Sequence, residues 1–265
     1  MKFPNKNPLV SVIIVNYNNA TLLGQSIKSI LNQTYNNIEI IVVDDKSTDN
    51  SVNELHKYKN KIRIIKNKKK TSQGSYNQIN SYFNGYLKSK GKYLFFLDSD
   101  DYFKINKVKY LVYEFEQNNA NLIFDLPILK FKKKIVFNKF NQKKFILSSW
   151  PRFSPQSCIS MKKEYAKEIF KNVKVNKFES IWLDFRIAIY HFLKNKELFV
   201  FNKYLTYYRQ LDGSASKNFK TLSKNWWYRR FQAHEIVDFF SIKLNQNKKI
   251  NLDKLITKIV FFFLK

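Results

Sequence analysis

Four short runs of large apolar residues, separated by stretches of helical periodicity, constrain the fold of this chain most strongly. The runs are residues 10–15, 38–43, 62–65 and 93–97. Continuous runs of this kind, rich in Val and Ile, are typical of strands buried on both faces of a parallel sheet. The helical stretches are residues 21–32, 51–58 and 78–89. Strands that alternate with helices at this spacing predict an α/β fold with a mostly parallel sheet flanked by helices.

The second half of the sequence is less regular. Short strands are predicted at residues 122–125 and 158–161, and extended chain at 199–209. Helical periodicity runs over residues 178–193 and again from about residue 220, where Trp226, Trp227, Phe231 and Ile236 share an apolar side. The sequence therefore predicts further strands on the same sheet and a helical C-terminal part.

Charge and cysteine content limit the classes of partner. The 265 residues carry a formal net charge of +28, which favours nucleic acid, anionic lipid or phosphorylated substrates. No zinc-finger spacing or RNA-binding aromatic motif is present, so nucleic acid is not the expected partner. Cys158 is the single cysteine, which excludes an intramolecular disulfide and fits a reducing cytoplasm.

The two ends of the sequence bear on location. The first seven residues lack a signal-peptide core, and no apolar run reaches the roughly 18–20 residues of a transmembrane helix. The apolar run at residues 259–264 fits either the end of a packed helix or an interfacial anchor. We expect a cytoplasmic protein, with attachment to the inner face of a membrane and a natural chain beyond Lys265 both left open.

Polar side chains follow three of the predicted strands, at residues 16–18, 44–45 and 98–101. In open α/β sheets the ligand lies beyond the carboxyl ends of the strands, so these residues should form one site. Any one of these polar segments could be an ordinary turn. Three of them at the same edge of one sheet indicate a binding site. The closely spaced carboxylates of Asp98, Asp100 and Asp101 predict a site for Mg²⁺ or Mn²⁺, which bind oxygen ligands and substrate phosphates.

Residues 8–103 closely resemble family 2 of the glycosyltransferases in both the order and the spacing of their motifs. The matching segments are residues 10–14 with Tyr17 and Asn18, 29–35, 39–49, 91–93 and 97–101, the last holding an Asp-x-Asp motif. The resemblance implies the GT-A fold, a nucleotide-sugar donor and transfer with inversion. Beyond residue 103 the likeness is looser.

The resemblance also implies roles for individual residues. Tyr17 would stack on the nucleobase, and Asp45 would accept a hydrogen bond from the imide N–H, which favours uracil. Asp100 would be the principal metal ligand. The implied donor-binding set is Val15 (where Pro is common and the backbone makes the contact), Tyr17, Asn18, Asp45, Asp98, Ser99, Arg209, Ser214 and Ser216, and the metal set is Asp100, Asp98 and Asp101.

Inversion requires a general base, which in this family is an acidic residue that opens a helix in the second half. Asp184 is the best match, with Glu179 as its rival. Asp184 could instead cap the helix or pair with Arg186. Arg209 and the serines 214 and 216 resemble the loop that closes over the donor phosphates.

Two departures from the family pattern stand out. Leu211 stands where many relatives carry a metal-binding His, so either Asp212 substitutes or the metal lacks that ligand. Residues 75–80 lack the Ala-Arg-Asn of many relatives, so no arginine is assigned there. Trp150, Phe153, Trp182 and Tyr207 fit either a platform for a sugar acceptor or the core.

These observations predict a GT-A domain over residues 1–219, with a nucleotide-binding half at 1–103 and an acceptor-binding half at 104–219. A helical extension follows at 220–265. The expected activity is transfer of a sugar from a nucleotide-diphosphate donor, in the first place UDP-linked, to a hydroxyl of a glycan or lipid-linked acceptor. The alternatives are a nucleotidyltransferase, a basic nucleic-acid- or nucleotide-binding protein without transferase activity, and a degenerate transferase that only binds.

Overall fold

The fold is a mixed α/β sheet flanked by helices, as predicted. A computed structural model describes residues 7–137, 150–212, 219–248 and 250–264. The strands are β1 (Val10–Asn16), β2 (Ile38–Asp44), β3 (Arg63–Lys66), β4 (Tyr93–Asp98), β5 (Tyr102–Phe103), β6 (Leu122–Lys130), β7 (Ile135–Phe137), β8 (Ile159–Lys162) and β9 (Val200–Arg209). The helices are α1 (Ala20–Leu31), α2 (Ser51–His56), α3 (Gly74–Lys88), α4 (Lys107–Asn118), α5 (Lys163–Val173), α6 (Leu183–Asn195), α7 (Lys224–Lys243) and α8 (Leu252–Leu264), with a 3-10 turn at Gln156–Cys158.

The described strands form one sheet in the order β3-β2-β1-β4-β8-β6-β9-β5, with β7 on β6. The first four are parallel, as their unbroken apolar runs predict. β8 then runs antiparallel to both β4 and β6, and β9 runs parallel to β6. In register, Val15 of β1 pairs with Val43 of β2 and with Asp98 of β4. The polar ends of these three strands therefore meet at one edge.

Apolar side chains fill both faces of the sheet. On one face, Ile13 and Phe96 pack with residues of α3, α5, α6 and α7. On the other, Val12 and Phe95 pack with residues of α1 and α4. Gly91 precedes β4 because a Cβ there would lie 2.5 Å from the backbone nitrogen of Ser11. The absence of that Cβ lets β4 enter the sheet directly beside β1.

The structure corrects the sequence prediction in the second half. The helix predicted over residues 178–193 begins only at Leu183, and Phe178 has a left-handed φ of 62°. The helix expected from Gln78 begins earlier, at Gly74. Two helices, α4 and α5, were not predicted at all. They cover opposite faces of the sheet, so they complete the layers that the strand pattern requires.

The predicted helical C-terminal part is present as α7 and α8. α7 belongs to the core, since Ile236 and Phe240 are fully buried. Within the described residues, no helix is both long enough and apolar enough to cross a bilayer.

Candidate active site

The ends of β1 and β2 are tied together by polar side chains. The Asn16 amide donates to the Asp44 carboxylate over 2.9 Å. Asn18, which has a left-handed φ of 49°, accepts a hydrogen bond from the Thr48 backbone N–H over 2.7 Å. Tyr17 lies between them with its ring half-exposed, and the ammonium of Lys70 is 2.8 Å from the ring centroid. An aromatic face with an adjacent cation therefore stands at the rim of the sheet.

Asp44 and Asp45 are adjacent in sequence but have different environments. The carboxylate of Asp44 is enclosed by Asn16 and by Ser47, whose hydroxyl donates to it over 2.6 Å. The carboxylate of Asp45 accepts from the Asn67 amide over 2.8 Å. The Asp44 carboxylate therefore stabilises the loop that follows β2. The orientation of the Asp45 carboxylate is instead fixed by Asn67, just beyond β3. Asn67 was not predicted, and its only sequence signal is its position after a strand.

Asp98 is held from three directions at the end of β4. Its carboxylate accepts from the Tyr82 hydroxyl over 2.8 Å and from the Gln78 amide over 3.2 Å, both on α3. Its backbone N–H donates to the hydroxyl of Ser157 over 3.0 Å. Helix α3 thus positions the carboxylate, and the 3-10 turn positions the backbone.

Asp101, by contrast, is fully buried. One of its oxygens accepts from the Ser157 hydroxyl over 2.5 Å and the other from the Arg209 backbone N–H over 2.9 Å. Both oxygens already have protein donors, so Asp101 joins the turn after β4 to β9. Of the three carboxylates predicted to bind a cation, Asp101 is therefore the one whose two oxygens are both occupied by hydrogen bonds from the protein.

Two predicted donor-binding residues hold this same turn: Arg209 at the end of β9, and Ser99 within the turn itself. Arg209 donates to the carbonyl of Asp100 and to the Gln25 side chain, and its guanidinium lies 4.7 Å from the centroid of the Tyr102 ring. Ser99 is buried, and its hydroxyl accepts from the Asn19 amide over 3.2 Å. Both residues hold the carboxylate-bearing turn against α1.

The carboxylates of the site share a poorly solvated environment. Burial, reinforced by Asp100 and Asp184, raises the pKa of Asp98 to about 7. Burial also raises the pKa of Asp100, although the Arg209 guanidinium opposes it. The pKa of the Tyr208 hydroxyl is raised by its burial and by the charges of all four acids, Asp101, Asp184, Asp98 and Asp100. Four carboxylates from two distant parts of the chain are therefore brought into electrostatic contact.

Asp184 joins this group from the first turn of α6. Burial raises the pKa of its carboxyl, and the guanidinium of Arg229 on α7 opposes that rise. Its rival Glu179 is exposed and accepts instead from the Tyr228 hydroxyl over 3.0 Å. Of the two predicted candidates for a base, only Asp184 is among the groups that act on Asp98.

Arg186 is not the partner of Asp184. Its buried guanidinium donates to five backbone carbonyls, those of Val173, Val175, Lys177, Phe178 and Ile181. Asp184 does not cap the helix either, since the N-cap is Trp182 and no side chain caps it. Arg186 instead folds the segment between α5 and α6 that presents Asp184.

Several predicted features have a structural explanation or fall outside the described residues. Ser214 and Ser216 lie outside the described residues, whereas Leu211 follows the end of β9. Trp150 and Phe153 both pack edge-on to Phe185. Tyr207 stacks on Tyr102, with ring centroids 4.5 Å apart. Trp182 is partly buried and close to Gly74.

The candidate site offers a divalent cation two carboxylates, those of Asp98 and Asp100. Within the described parts of the chain, no three acidic, His or Cys side chains form a ready-made metal site. Mg²⁺ and Mn²⁺ need less than this, since one or two carboxylates and the substrate phosphates suffice. Asp98 and Asp100 would supply that pair, and a cation would offset both the burial and the repulsion from Asp100 that raise the pKa of Asp98.

Solved structures share the fold. The chain aligns with Staphylococcus aureus TarS residues 1–349 in complex with UDP-GlcNAc at a TM-score of 0.62 and 16% identity, covering 97% of this chain and 71% of that one. It also aligns with the mannosyltransferase PcManGT of Pyrobaculum calidifontis, solved with GDP-Man and Mn²⁺, at a TM-score of 0.56 and 13% identity. That alignment covers 98% of this chain and 71% of the other. At these identities the likeness concerns the fold, which is of the GT-A type.

Sequence comparison identifies the protein family. The chain is 31% identical over 256 residues to the poly(ribitol-phosphate) β-N-acetylglucosaminyltransferase TarP of Staphylococcus aureus, covering 92% of this chain and 76% of that protein. Among other curated relatives, the match spans only 15% to 40% of the relative's length in several cases. The family model for glycosyl transferase family 2 matches residues 11–174. The chain therefore belongs to glycosyl transferase family 2, and it is a glycosyltransferase.

Proposed function

We propose that this protein transfers a sugar from a nucleotide-diphosphate donor, UDP-linked in the first place, to a hydroxyl of a glycan or lipid-linked acceptor. The observation that carries the proposal is the placement of Asp98 at the end of β4, next to the end of β1 that leads into Tyr17, within electrostatic range of both Asp100 and Asp184. The TarS neighbour, crystallised with UDP-GlcNAc, supports a UDP-sugar donor.

The donor would lie along the ends of β1, β2 and β4. In this proposal Tyr17 stacks on the base and Asp45 accepts from its imide N–H. Val15, Asn18, Asp98 and Ser99 line the remaining path, and Arg209 lies at the diphosphate end. In the structure the Lys70 ammonium covers one face of the Tyr17 ring. In this proposal the nucleobase displaces Lys70 and stacks on that face.

Asp184 acts as the general base. Its carboxylate takes the proton from the acceptor hydroxyl as the acceptor oxygen bonds to the anomeric carbon and the bond to the diphosphate oxygen breaks. The nucleoside diphosphate leaves with the electron pair of that bond. Because the acceptor oxygen attacks from the face opposite the leaving diphosphate, the anomeric centre is inverted. A positioned base of this kind contributes about 10²–10⁴ in rate.

A divalent cation is the expected cofactor, and Asp98 and Asp100 would hold it. When bound, such an ion neutralises the charge that develops on the leaving diphosphate. Mn²⁺ in the structure of the mannosyltransferase neighbour supports this assignment. Leu211 leaves the ion without the histidine of many relatives, so water or substrate oxygens would complete its coordination.

We also propose that α7 is part of the catalytic unit, because Arg229 acts on Asp184 and Ile236 lies in the core. The boundary placed after residue 219 would then separate segments that function together. Only α8 would then lie outside the catalytic unit.

A donor screen tests the proposed function. Release of UDP or GDP from a panel of nucleotide sugars is measured with Mg²⁺, Mn²⁺ or EDTA. We expect metal-dependent release that Asp184→Asn and Asp100→Ala lower by about 10²-fold or more. Glu179→Gln is the matched control and should keep wild-type activity, since Glu179 is exposed and bound to Tyr228.

Three results would contradict the proposal. Full activity in Asp100→Ala would remove the metal assignment. A salt-sensitive gel shift with nucleic acid, combined with no release from any donor, would support a basic binding protein instead. Donor binding without turnover in every condition would indicate a degenerate transferase.

A further inference from the structure

Helix α8 presents its polar residues to the protein and its apolar residues to the outside. Asp253, Lys254 and Thr257 are its buried residues. An amphipathic helix on the surface of a globular protein ordinarily has the opposite orientation, with its apolar stripe on the core. The polarity of α8 is therefore inverted.

Ion pairs hold α8 on α7. The Asp253 carboxylate accepts from the Arg230 guanidinium over 2.7 Å and lies 3.2 Å from His234. The Lys254 ammonium lies 2.6 Å from both oxygens of Asp238. These charged groups are mostly buried, and breaking such a pair is strongly destabilising. The orientation of α8 is thus fixed by specific contacts rather than by apolar packing alone.

Aromatic packing supports the same orientation. Phe261 stacks on Phe231 of α7 with ring centroids 4.3 Å apart. The neighbouring Phe262 and Phe263 are 74% and 79% exposed. One aromatic ring of this run attaches the helix, and the next two point away from the protein.

The exposed apolar residues of α8 form one continuous stripe, which we call the outer face. It comprises Leu252, Leu255, Ile256, Ile259, Phe262 and Phe263. At 3.6 residues per turn these positions fall within an arc of about 120°. A stripe of large aliphatic and aromatic side chains of this size marks an interaction surface.

From the end of α7 to the end of α8, the exposed charged side chains that the structure describes are all positive. Lys243, Lys248 and Lys258 are exposed. Asp253 is the only acidic residue after Asp238, and it is buried against α7. With a net charge of +28, a second copy of the chain would be repelled, whereas an anionic surface would be attracted.

We propose that the outer face of α8 inserts into the interface of an anionic lipid bilayer, with the flanking lysines at the level of the headgroups. A 13-residue helix is about 20 Å long, so it lies in the membrane plane rather than across it. Docking is a property of this surface and goes beyond the transferase activity. It would also place α7, and with it Arg229 at the active site, at a fixed height above the lipid.

Vesicle co-sedimentation tests the proposal. The full chain is mixed with vesicles of phosphatidylcholine alone or of phosphatidylcholine with phosphatidylglycerol. We expect binding to the anionic vesicles that weakens with salt. The double variant Phe262→Ser/Phe263→Ser should lower the partition coefficient about ten-fold or more, and Lys258→Glu should lower it on anionic vesicles only.

The matched control is Leu87→Ser/Ile105→Ser, which removes two exposed apolar side chains from other surfaces. Leu87 is 57% exposed and Ile105 is 56% exposed. It should bind vesicles as the wild type does. Equal binding by the Phe262→Ser/Phe263→Ser variant, or no binding of the wild type to either vesicle, would overturn the proposal. The proposal would also be overturned if light scattering showed that the wild type is a dimer and that the Phe262→Ser/Phe263→Ser variant is a monomer.

UDP release in the absence of vesicles separates this proposal from the proposed function. The Phe262→Ser/Phe263→Ser variant should keep the wild-type rate there, because no residue of the outer face belongs to the active site. Vesicle binding without release from any donor would leave the docking surface standing and remove the transferase chemistry.

Discussion

The guanidinium of Arg229 on α7 lies within electrostatic range of the Asp184 carboxylate on α6, where it opposes the rise in pKa that burial imposes on that carboxyl. In its proposed role as general base Asp184 must be deprotonated, so Arg229 would extend the active pH range toward acid. We predict that Arg229→Gln raises the pKa of Asp184, so that the acidic limb of the kcat/KM profile shifts to higher pH.

The control for this prediction is Arg229→Lys, which keeps the charge and should keep the limb near its wild-type position. A structural role alone would lower kcat/KM equally at all pH values in the glutamine variant. An unshifted limb in Arg229→Gln would therefore contradict the electrostatic role.

Tyr17 offers the second prediction. Removing its ring in Tyr17→Ala should weaken UDP binding roughly ten-fold or more, since stacking on an aromatic side chain contributes about 1–3 kcal/mol per base. Titration calorimetry with UDP and Mn²⁺ measures the change. Tyr17→Phe keeps the ring and should bind as the wild type does, and equal affinity in the alanine variant would disprove the stacking assignment.

Ser157 links the two ends of the turn after β4, which carries the carboxylates of the proposed metal site. Without its hydroxyl, Ser157→Ala leaves a buried Asp101 oxygen and the Asp98 N–H without a partner. We expect the free energy of unfolding to fall by about 1–3 kcal/mol for each group and the affinity for Mn²⁺ to fall with it. Urea denaturation and metal titration measure the two effects.

Ser154→Ala is the matched control for Ser157. Ser154 is as deeply buried, but its hydroxyl has no hydrogen-bond partner among the described residues. Its loss should change stability little and leave Mn²⁺ affinity intact. A similar loss of metal affinity in both variants would show that the Ser157 hydrogen bonds are not the cause.

His191 predicts a dependence of stability on pH. It is buried against Tyr165, whose hydroxyl lies 2.8 Å from Nδ1, and burial lowers its pKa from 6.5 to about 4. The unfolded chain binds this proton more readily, so stability falls as the pH drops from 6.5 toward 4. The loss between pH 7 and pH 5 amounts to about 2 kcal/mol for this one group.

Urea denaturation at the two pH values measures that loss. His191→Gln has no proton to bind and should show a smaller decrease than the wild type. Because His234 is also neutral and buried, its contribution is present in both proteins and cancels in the comparison. Equal decreases in the two proteins would contradict the assignment to His191.

The strands at the site could be predicted from the sequence because they are covered on both faces. β1, β2 and β4 consist almost wholly of buried apolar residues, so their ends, and the polar residues beyond them, are visible without a structure. α4 was missed for a physical reason. Its first residue, Lys107, is fully buried because its ammonium pairs with Asp125 over 2.7 Å, and a buried lysine obscures the apolar stripe.

The residues that position Asp98 and Asp184 could not be predicted from the sequence. Gln78, Tyr82 and Ser157 act on Asp98 across gaps of 16 to 59 positions, and no local motif marks them. Arg229 reaches Asp184 only because α7 packs beside α6. Such contacts depend on tertiary packing, which a single sequence does not reveal.

The five carbonyls bound by Arg186 have a consequence for how this enzyme can diversify. The arginine contacts only backbone atoms between Val173 and Ile181, and every amino acid supplies the same carbonyl. Side chains such as Asn176 and Lys177, both exposed, can be exchanged without dismantling the loop. The side chains of the segment before Asp184 can therefore change during evolution while the Asp184 carboxylate, the proposed general base, keeps its position.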